Sequence, residues 1–582
     1  MIPQIQTAKV RRKRSSYYLS DPLFETIAVV TMSLLVGIIA GGGAYLFVFV
    51  IDLLYHFFHQ ALVPLQRSLS PSVVIFLPAL GLIIVGLLTN YLGRQVRHGV
   101  PQILEAVALR GGRIKPLAGL IGFIAPAIVI GSDGSAGQIG PIAFIGAAAG
   151  SLLGQMVRLR EKHLTLLLAC GAAAGIAAIL KVPIAGAFFG MEVVLGNFSM
   201  GAVVPLFLAA IAGFLVHMYL GGIEPFFAVP PLVFSNLAEV ILALVLGLFS
   251  GFVALCFTRG LTFSEDFFER WQVPFWLKAL FGGTLVGLLG LAYPQVLGVG
   301  YPAMTQVVNE QLPMLTVAAL LICKYIATLV TIGVGGSGGV FAPSLYLGVM
   351  LGFIFGSGMQ VLFPGVVLQP QLFALVGMGA IFAAAAQAPL TASLIILEMT
   401  GNYVITAGIM AACAISYLIH GSLIRDSIFT AKLGSQGINI LRGTDIRPAE
   451  RIPVTAAMKK IDTIWPANTT VARAWQALAA GEATYLIVAE TRKGGPGIAT
   501  LHNIRRAMEN GDYGRTLGEL VDREAIVMTV EQDLDTAMRL FAFNEDTSVL
   551  VEDNEGRLVG ILSQQDVLRT YSLKTIWSME PV

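Results

Sequence analysis

The sequence is poor in charged residues, and this shortage restricts what the chain can be. Asp, Glu, Lys and Arg make up 12% of its 582 residues, whereas 56% are hydrophobic. The mean hydropathy is +0.78. No water-soluble domain of this length can bury so much apolar surface, so the composition indicates a membrane protein. The formal net charge of +2 gives no reason to expect a nucleic-acid partner.

Cysteine is also scarce, and its spacing excludes the usual metal centres. The four cysteines are Cys170, Cys256, Cys323 and Cys413. Each stands alone in an apolar segment, without Cys-x-x-Cys or Cys/His spacing, so we interpret them as small core residues and expect no metal. The apolar part also lacks a motif for nucleophilic catalysis or phosphate binding. Nothing in it supports an enzyme, and no cofactor is expected there.

Long apolar runs dominate the first three quarters of the chain. They lie around residues 25–51, 72–92, 201–220, 235–257, 313–332 and 403–419. A basic run at 11–14 precedes the first of them, which predicts a cytoplasmic N-terminus, and residues 1–24 do not resemble a cleavable signal peptide. We therefore expect a multi-pass protein of a bacterial or archaeal inner membrane, in contact with lipid, with both termini in the cytoplasm.

The apolar part carries one motif twice. Residues 131–141 read GSDGSAGQIGP and residues 333–343 read GVGGSGGVFAP, at an offset of 202. Downstream, residues 171–192 align with residues 377–398 at an offset of 206. Repeated halves with Gly-rich breaks before helices are typical of transporters. Because helix N-termini present free N–H groups and the positive end of the dipole, two such ends meeting inside a membrane predict an anion site.

The composition changes near residue 430, and the last part of the chain predicts a soluble α/β module. A polar linker is expected at 436–453. Residues 471–508 and the stretch from helix 533–543 onward share a β-α-β pattern, which resembles a pair of CBS domains. We assign residues 1–24 to a cytosolic segment, 25–435 to the transmembrane anion pathway and 454–582 to the CBS pair.

A Ser/Thr-x-x-Asp motif suggests a ligand for this module. The resemblance implies that Ser563 and Asp566 contact the ribose of an adenine nucleotide, with Thr500 and Asn503 at the same place in the first copy. Asn bonds a hydroxyl more weakly than a carboxylate does. The alternative is that these residues merely cap the helices that follow them. A bound adenine nucleotide is the one cofactor that the sequence suggests.

Several further motifs resemble the CLC family of chloride channels and chloride/proton exchangers. They are RHGVPQ (97–102), GQIGP (137–141), GVFAP (339–343), APLTASLIILEMTGNY (388–403) and RDSIFT (425–430). The resemblance implies a homodimer with one chloride pathway per subunit. Each subunit would be an α-helical polytopic bundle of two inverted halves, whose helix N-termini point at a central anion. An α/β CBS-domain pair would follow in the cytosol.

The resemblance also assigns the residues of the pathway. The anion-binding or pore positions are His98, Gly99, Gln138, Ile139, Gly140, Val340, Phe341 and Phe429. Ile139 stands where the family has its gating glutamate, and Val193 where exchangers have an inward-facing proton-accepting glutamate. Neither side chain can carry a proton. Phe429 lacks the hydroxyl of the family's inner-gate tyrosine, and Gln138 replaces a basic residue.

These departures favour a passive, proton-uncoupled anion channel or uniporter-like conductor that depends little on external pH, apart from a mild effect of His98 near pH 6–7. Two alternatives remain open. Asp133 could act as a displaced acid in a chloride/proton exchanger, although the repeat places it opposite Gly335, ahead of the pore-lining motif. In the second alternative the protein is a non-conducting, ligand-sensing homologue. Ile139 would then plug the anion site, since apolar constrictions gate by dewetting.

Overall fold

A computed structural model describes most of the chain. In the apolar part it describes residues 22–68, 71–91, 99–159, 161–222, 232–367 and 369–435. In the polar part it describes residues 452–461, 464–479, 485–488, 496–521, 526–530, 532, 534–543, 548–553 and 557–577. The chain forms two compact units, Met1–Gly443 and Thr444–Val582. The division falls inside the segment 436–453 predicted as a linker, whose residues 436–451 lie outside the described ranges.

The described part of the first unit is helical. Its first half contains α1 (Pro22–Ser68), α2 (Leu77–Tyr91), α3 (Val100–Arg110), α4 (Pro116–Gly131), α5 (Ile139–Met156), α6 (Glu161–Leu180), α7 (Pro183–Phe189) and α8 (Met200–Gly221). A 3-10 turn, Pro71–Phe76, precedes α2, and a π-helical turn, Gly190–Leu195, extends α7.

The second half contains α9 (Leu237–Arg270), α10 (Phe275–Ala292), α11 (Tyr301–Val308), α12 (Met314–Gly333), α13 (Phe341–Leu362), α14 (Pro370–Ala386), α15 (Pro389–Thr400), α16 (Thr406–Leu423) and α17 (Ala431–Ser435). A short 3-10 turn, Pro294–Val296, lies between α10 and α11. Within the described residues of the whole chain, nine helices are long and apolar enough to cross a membrane.

The sequence repeat is a structural repeat: α5, α6 and α7 correspond to α13, α14 and α15. In both halves the first two of these helices pack along a seam of glycines. A Cβ at Gly146 would lie 2.1 Å from the carbonyl oxygen of Gly171, and one at Gly348 would lie 2.4 Å from that of Gly377. Only glycine permits this approach of two backbones, so the Gly-rich composition of these segments reflects close packing in a membrane.

The third helix of each triplet begins in the same way. Pro183 and Pro389 are the first residues of α7 and α15. Proline costs no hydrogen bond at this position, and its fixed φ suits the helix. The preceding helices, α6 and α14, are followed directly by Lys181 and Gln387, which both have positive φ, 60° and 55°. The chain therefore turns identically at equivalent places in the two halves, although the residue types differ.

The second unit contains two small sheets with helices. Its elements are β1 (Lys459–Lys460), β2 (Ile464–Trp465), α18 (Val471–Ala479), β3 (Tyr485–Val488), β4 (Gly497–Thr500), α19 (Leu501–Glu509), α20 (Leu517–Leu520), β5 (Val527–Thr529), α21 (Leu534–Phe543), β6 (Ser548–Glu552), β7 (Leu558–Ser563) and α22 (Gln564–Trp577). The strand orders are β1-β7-β6-β5 and β2-β3-β4. In each sheet a parallel pair is followed by an antiparallel one, β2-β3-β4 and β5-β6-β7. The predicted fold class, a helical inverted-repeat bundle followed by a CBS module, is confirmed.

Candidate functional site

The centre of the first unit is a direct contact between the two repeated motifs. Gly137 and Gly339 form an isolated antiparallel bridge, in which each N–H donates to the other's carbonyl oxygen at 2.7 Å. The two glycines occupy equivalent positions, so the exchange of identical bonds defines a local two-fold relation between the halves. The helices α5 and α13 begin two residues after the bridge, at Ile139 and Phe341.

A third helix begins at the same place. Gly99 precedes α3 with φ 130°, a conformation that side chains disfavour. A Cβ at Gly99 would lie 3.6 Å from the carbonyl carbon of Gly140, and a Cβ at Gly140 would lie 3.1 Å from the Cα of Gly339. The N-termini of α3, α5 and α13 are thus in contact. Their first-turn N–H groups and dipoles favour negative charge, as an anion site requires.

The predicted pore residues of this centre are mostly buried. Ile139 and Phe341 have no exposed surface, Gln138 is 8% exposed and Val340 is partly buried. The Phe341 ring packs on Phe382 of α14 with centroids 4.0 Å apart. His98 lies outside the described residues. That the remaining residues line an ion path stays a prediction, although the structure brings Gly99, Gly140 and both repeated motifs together.

Phe429 is held at the end of α14. Its side chain is 2% exposed, and its N–H donates to the Ser427 hydroxyl at 3.2 Å. The neighbouring Ile428 N–H donates to the carbonyl oxygen of Ala385, one turn beyond Phe382. These contacts link the Phe429 segment to the helix that packs on α13. A place for Phe429 in the ion path stays a prediction.

The position predicted for a proton-accepting group is apolar and enclosed. Val193 lies in the π-helical turn after α7 and is 1% exposed. Beside it, the Glu192 carboxylate accepts hydrogen bonds from the backbone N–H groups of Leu390 and Thr391, at 3.2 and 2.7 Å, and from the Thr391 hydroxyl at 2.6 Å. Glu192 therefore caps the N-terminus of α15.

Glu398, which corresponds to Glu192 in the second repeat, makes the same kind of bonds to the first repeat. Glu398 accepts from the N–H groups of Ile184 and Ala185 at the start of α7, at 3.0 and 2.6 Å. Each half thus caps a helix of the other half with a carboxylate. Because these carboxylates occupy the N–H groups of α7 and α15, the ends of α3, α5 and α13 are better placed to receive an external anion.

Asp133 does not lie among the three helix N-termini. It has φ 65°, and its carboxylate is 3.1 Å from the Nε2 of His59, near the C-terminal end of α1. Asp133, His59 and Gln138 line a cavity of about 720 Å³. Its other walls come from α1, the 3-10 turn before α2, α4, α10, α11 and the segment between α10 and α11. No signal in the sequence pointed to His59, which is distant along the chain and belongs to no motif.

Another group that sequence reasoning missed, Lys324, supports this cavity. Lys324 of α12 is fully buried, and its ammonium donates to the carbonyl oxygens of Val296 and Gly298 at 2.9 and 2.7 Å. It also lies 5.3 Å from the centroid of the Tyr346 ring. Its place in the apolar run 313–332 was the available signal, since a membrane lysine needs specific partners.

In the second unit the motif residues cap their helices. Ser563 accepts from the Asp566 N–H at 3.2 Å and donates to its carboxylate at 2.5 Å. Thr500 makes the same two bonds with Asn503, at 3.3 and 2.9 Å. The capping interpretation is thus satisfied in both copies, and nucleotide binding by these four residues remains a prediction.

The environment of Asp566 keeps it ionised. Burial raises the pKa of its carboxyl, but the Ser563 hydroxyl and the Lys459 ammonium, 2.9 Å away, outweigh burial and lower the pKa below its ordinary value. A charged carboxylate in this place is a strong acceptor for a ligand hydroxyl. Among the described residues of the chain, no group of three His, Cys, Asp or Glu side chains could hold a metal.

The fold and the central site define a membrane ion transporter whose two halves bring helix N-termini to one point. A family model for the voltage gated chloride channel matches residues 80–421, and one for the CBS domain matches residues 517–573. The chain belongs to the voltage-gated chloride channel (CLC) family, whose members are ion transporters rather than enzymes.

Named relatives agree with this membership. The chain is 33% identical over 388 residues to a putative chloride channel protein, ClcB-like, of Ralstonia nicotianae, covering 66% of this chain and 90% of that protein. It is 31% identical over 374 residues to the voltage-gated ClC-type chloride channel ClcB of Escherichia coli, covering 63% and 89%.

Solved structures share the fold. A slow cyanobacterial Cl⁻/H⁺ antiporter has a TM-score of 0.64 at 23% identity, with 70% of this chain and 97% of that chain covered. A CLC-type fluoride/proton antiporter has a TM-score of 0.60 at 26% identity, covering 71% and 99%. A eukaryotic CLC transporter has a TM-score of 0.63 at 18% identity and covers 94% of this chain and 98% of its own.

Proposed function

We propose that this chain is a passive, proton-uncoupled pathway for chloride or a similar small anion. The observation that carries the proposal is the pair of buried aliphatic side chains at Ile139 and Val193. Ile139 opens α5 at the point where three helix N-termini meet, and Val193 lies in the turn after α7. Coupled exchange requires groups that alternate between charged and neutral forms, and neither side chain can do so.

The anion would bind to backbone N–H groups near Ile139, Gly140, Val340 and Phe341. The contact of α3, α5 and α13 supports this, because their dipoles add at one point and their first-turn N–H groups need acceptors. An anion held by backbone dipoles alone carries no proton with it. Phe429 supplies an apolar boundary instead of a hydroxyl donor.

A second candidate, a chloride/proton exchanger with a displaced acid, is favoured by one observation. Asp133 is a buried carboxylate paired with His59, six residues before the gating position. An acid at this place could take up a proton from the cavity. Val193 argues against exchange, because the inner half of the family's proton route would still lack a titratable group.

The deciding experiment measures chloride and proton flux in parallel, in liposomes that contain the purified protein. We expect chloride to move down its gradient with no proton flux, and a zero-current voltage that follows the chloride gradient alone. Proton movement against its gradient, driven by chloride, would identify an exchanger. Vesicles that hold a chloride gradient as long as protein-free vesicles do would instead favour a non-conducting, ligand-sensing homologue.

We further propose a homodimer in an inner membrane, with both termini in the cytoplasm and the CBS unit as a regulatory module. The basic run at 11–14 supports the orientation. The ionised Asp566 next to Ser563 supports an adenine nucleotide as the regulatory ligand. Nucleotide added to the side that carries the CBS unit should change anion flux, whereas nucleotide on the other side should not.

A further inference from the structure

The hydrogen-bond partners of His59 indicate how many protons the pair of His59 and Asp133 needs. The Nδ1 of His59 is 2.9 Å from the backbone carbonyl oxygen of Tyr55. A carbonyl oxygen can only accept, so Nδ1 carries a hydrogen in this arrangement. A neutral imidazole then has a bare Nε2, which is itself an acceptor.

That bare nitrogen would face another acceptor. The Nε2 of His59 is 3.1 Å from the Oδ2 of Asp133. An ionised carboxylate has no hydrogen to donate. The contact becomes a hydrogen bond only when one further proton is present, on the imidazole or on the carboxylate. These two contacts are both hydrogen bonds only in a pair that has bound one proton.

Two neighbouring features favour this protonated form. The Tyr55 ring lies one turn earlier on α1 and stacks on the imidazole with centroids 4.0 Å apart, a contact that favours a cation. The Asp133 side chain is 10% exposed and that of His59 is 29% exposed, so water screens their interaction only in part. The Tyr55 carbonyl, the Tyr55 ring and the carboxylate all contact the imidazole, and all three favour positive charge on it.

The backbone conformation of Asp133 resembles that of a glycine in the other repeat. Its φ is 65°, and the equivalent residue of the other repeat is Gly335, with φ 95°. Positive φ is unfavourable for a residue with a side chain, so a glycine would relieve the strain at Asp133 as well.

The cavity extends from the pair to the residue next to Ile139. Gln138, one of its lining residues, directly precedes Ile139. The other titratable side chains that line it are Asp52 and Tyr55 of α1 and Tyr301 of α11; among its described lining residues there is no lysine or arginine. With the proton bound, the pair adds no net charge to this wall. Without it, the pair adds one negative charge next to Gln138.

We propose that His59 and Asp133 form a proton-binding site in this cavity, and that the proton on this site sets how readily an anion reaches Ile139. The proton is not transported with the anion; it removes a repulsive charge from the cavity wall. The inference rests on the proposed function in taking this cavity as an approach to the anion path. It adds a pH dependence beyond the mild effect expected of His98.

The site lies on the side of the membrane opposite to Pro22. The helical rise of about 1.5 Å per residue places His59 about 55 Å along α1 from Pro22, more than the roughly 30 Å of a hydrocarbon core. With a cytoplasmic N-terminus, this side is external. Protons added outside should therefore act, and protons added inside should have a smaller effect.

The test is chloride flux in liposomes, with external pH varied from about 6 to about 9, a range that spans histidine titration. Flux through the parent should fall on the order of 3- to 10-fold as the pH rises, the effect of one poorly screened charge near the path. His59→Gln should remain near the low level at every pH. Asp133→Asn should remain near the high level, because the repulsive charge is absent.

His56→Gln is the matched control. His56 lies one turn from His59 on α1, and its Nδ1 bonds a backbone carbonyl in the same way, at 2.8 Å from the carbonyl oxygen of Asp52. It should keep the pH profile of the parent. If Asp133→Asn does not fold, Asp133→Gly replaces it, since glycine accepts the backbone conformation found at this position.

A second measurement does not depend on conduction. Nitrogen-15 spectra of histidine-labelled protein, compared with those of His59→Gln and His56→Gln, identify two of the seven histidines. The His59 ring should stay an imidazolium to a higher pH in the parent than in Asp133→Asn, because the carboxylate stabilises the charged ring. A His59 ring that loses its proton over the same pH range in the parent and in Asp133→Asn would overturn the proton-binding site.

The flux outcomes separate this inference from the proposed function. A parent with pH-independent flux, or an Asp133→Asn protein that still loses flux at high pH, would overturn the charge mechanism. Proton transport driven by chloride that stops in Asp133→Asn would make Asp133 a coupling acid, which overturns the inference and the proposed function together. Proton transport that persists in Asp133→Asn, with the pH profile flattened as expected, would overturn the proposed function alone.

Discussion

Gly137 and Gly339 hold the same place in the two repeats and donate their N–H groups to each other's carbonyl oxygens, at 2.7 Å in both directions. The bridge fixes the start of α5 against the start of α13. Because both of its residues are glycines, the two backbones can approach without side chains between them. The distance between the two helix N-termini is thus set by backbone atoms, which cannot adjust as side chains can.

Gly339→Ala should therefore disrupt the centre of the molecule. A Cβ at Gly339 would lie 2.9 Å from the Gly140 nitrogen and 3.0 Å from the Gly137 carbonyl oxygen, so backbone must move. We expect a loss of about 1–3 kcal/mol of stability and a large fall in anion flux. Thermal stability in detergent and liposome flux measure the two effects. Gly358→Ala in the same helix is the control, since a Cβ there meets nothing within 4 Å.

Glu192 and Glu398 each cap a helix of the other half, and these two caps should stabilise the association of the halves. Replacing either by glutamine keeps the size of the side chain but removes the charge that attracts two backbone N–H groups. Each change should cost about 1.5–3 kcal/mol. Thermal inactivation in detergent should occur at a lower temperature for both variants, and by similar amounts. The exposed Glu310→Gln should have no effect, and an equal effect of that control would contradict the capping role.

The symmetric features of the fold were predictable because their residues occur twice in the sequence. The offset of 202 pairs Gly137 with Gly339, and the offset of 206 pairs Glu192 with Glu398, from the residue order alone. Contacts that occur once were not predictable. His59 lies in an apolar helix without a motif, and only folding places it beside Asp133. No alternation or spacing in a sequence encodes a single long-range pair of this kind.

The CBS unit offers a prediction about a ligand. Asp566→Ala should weaken binding of adenine nucleotides to the full-length protein by about 10-fold or more, because a hydrogen bond to a charged acceptor is lost. Calorimetry with ATP, ADP and AMP measures this. Glu509→Gln, an exposed change in the same unit, should leave affinity unchanged. No heat and no thermal shift at millimolar nucleotide in the parent would leave the motif with its capping role alone.

The Asp566 carboxylate should also make the stability of the CBS unit depend on pH. The pKa of Asp566 is lower in the folded protein than its ordinary value, so the folded state binds this proton less readily than the unfolded state does. Its contribution to stability is complete above the unfolded pKa and disappears as the pH falls through the folded pKa. Thermal stability of Asp566→Asn should therefore lose part of its dependence on pH below about 4.

Ile139→Glu should install a charged gate. The side chain at this position opens α5, where the helix dipole and free N–H groups favour a negative charge by about 0.3–2 kcal/mol. An ionised glutamate would occupy the anion site and block it, and protonation would release it. Flux through the variant should be low near neutral pH and rise steeply as external pH falls below about 5 to 6, around the range in which a partly buried glutamate titrates.

Ile139→Gln separates charge from size in this experiment. It has nearly the same shape as the glutamate variant but cannot ionise, so its flux should not rise in acid in this way. Ile139→Glu should also remain uncoupled from protons, because Val193 still interrupts the inner part of the route. If the glutamate and glutamine variants conduct like the parent from about pH 4 to 8 while folded and dimeric, Ile139 lies outside the ion path. Asp133 would then be the residue to test as the gate.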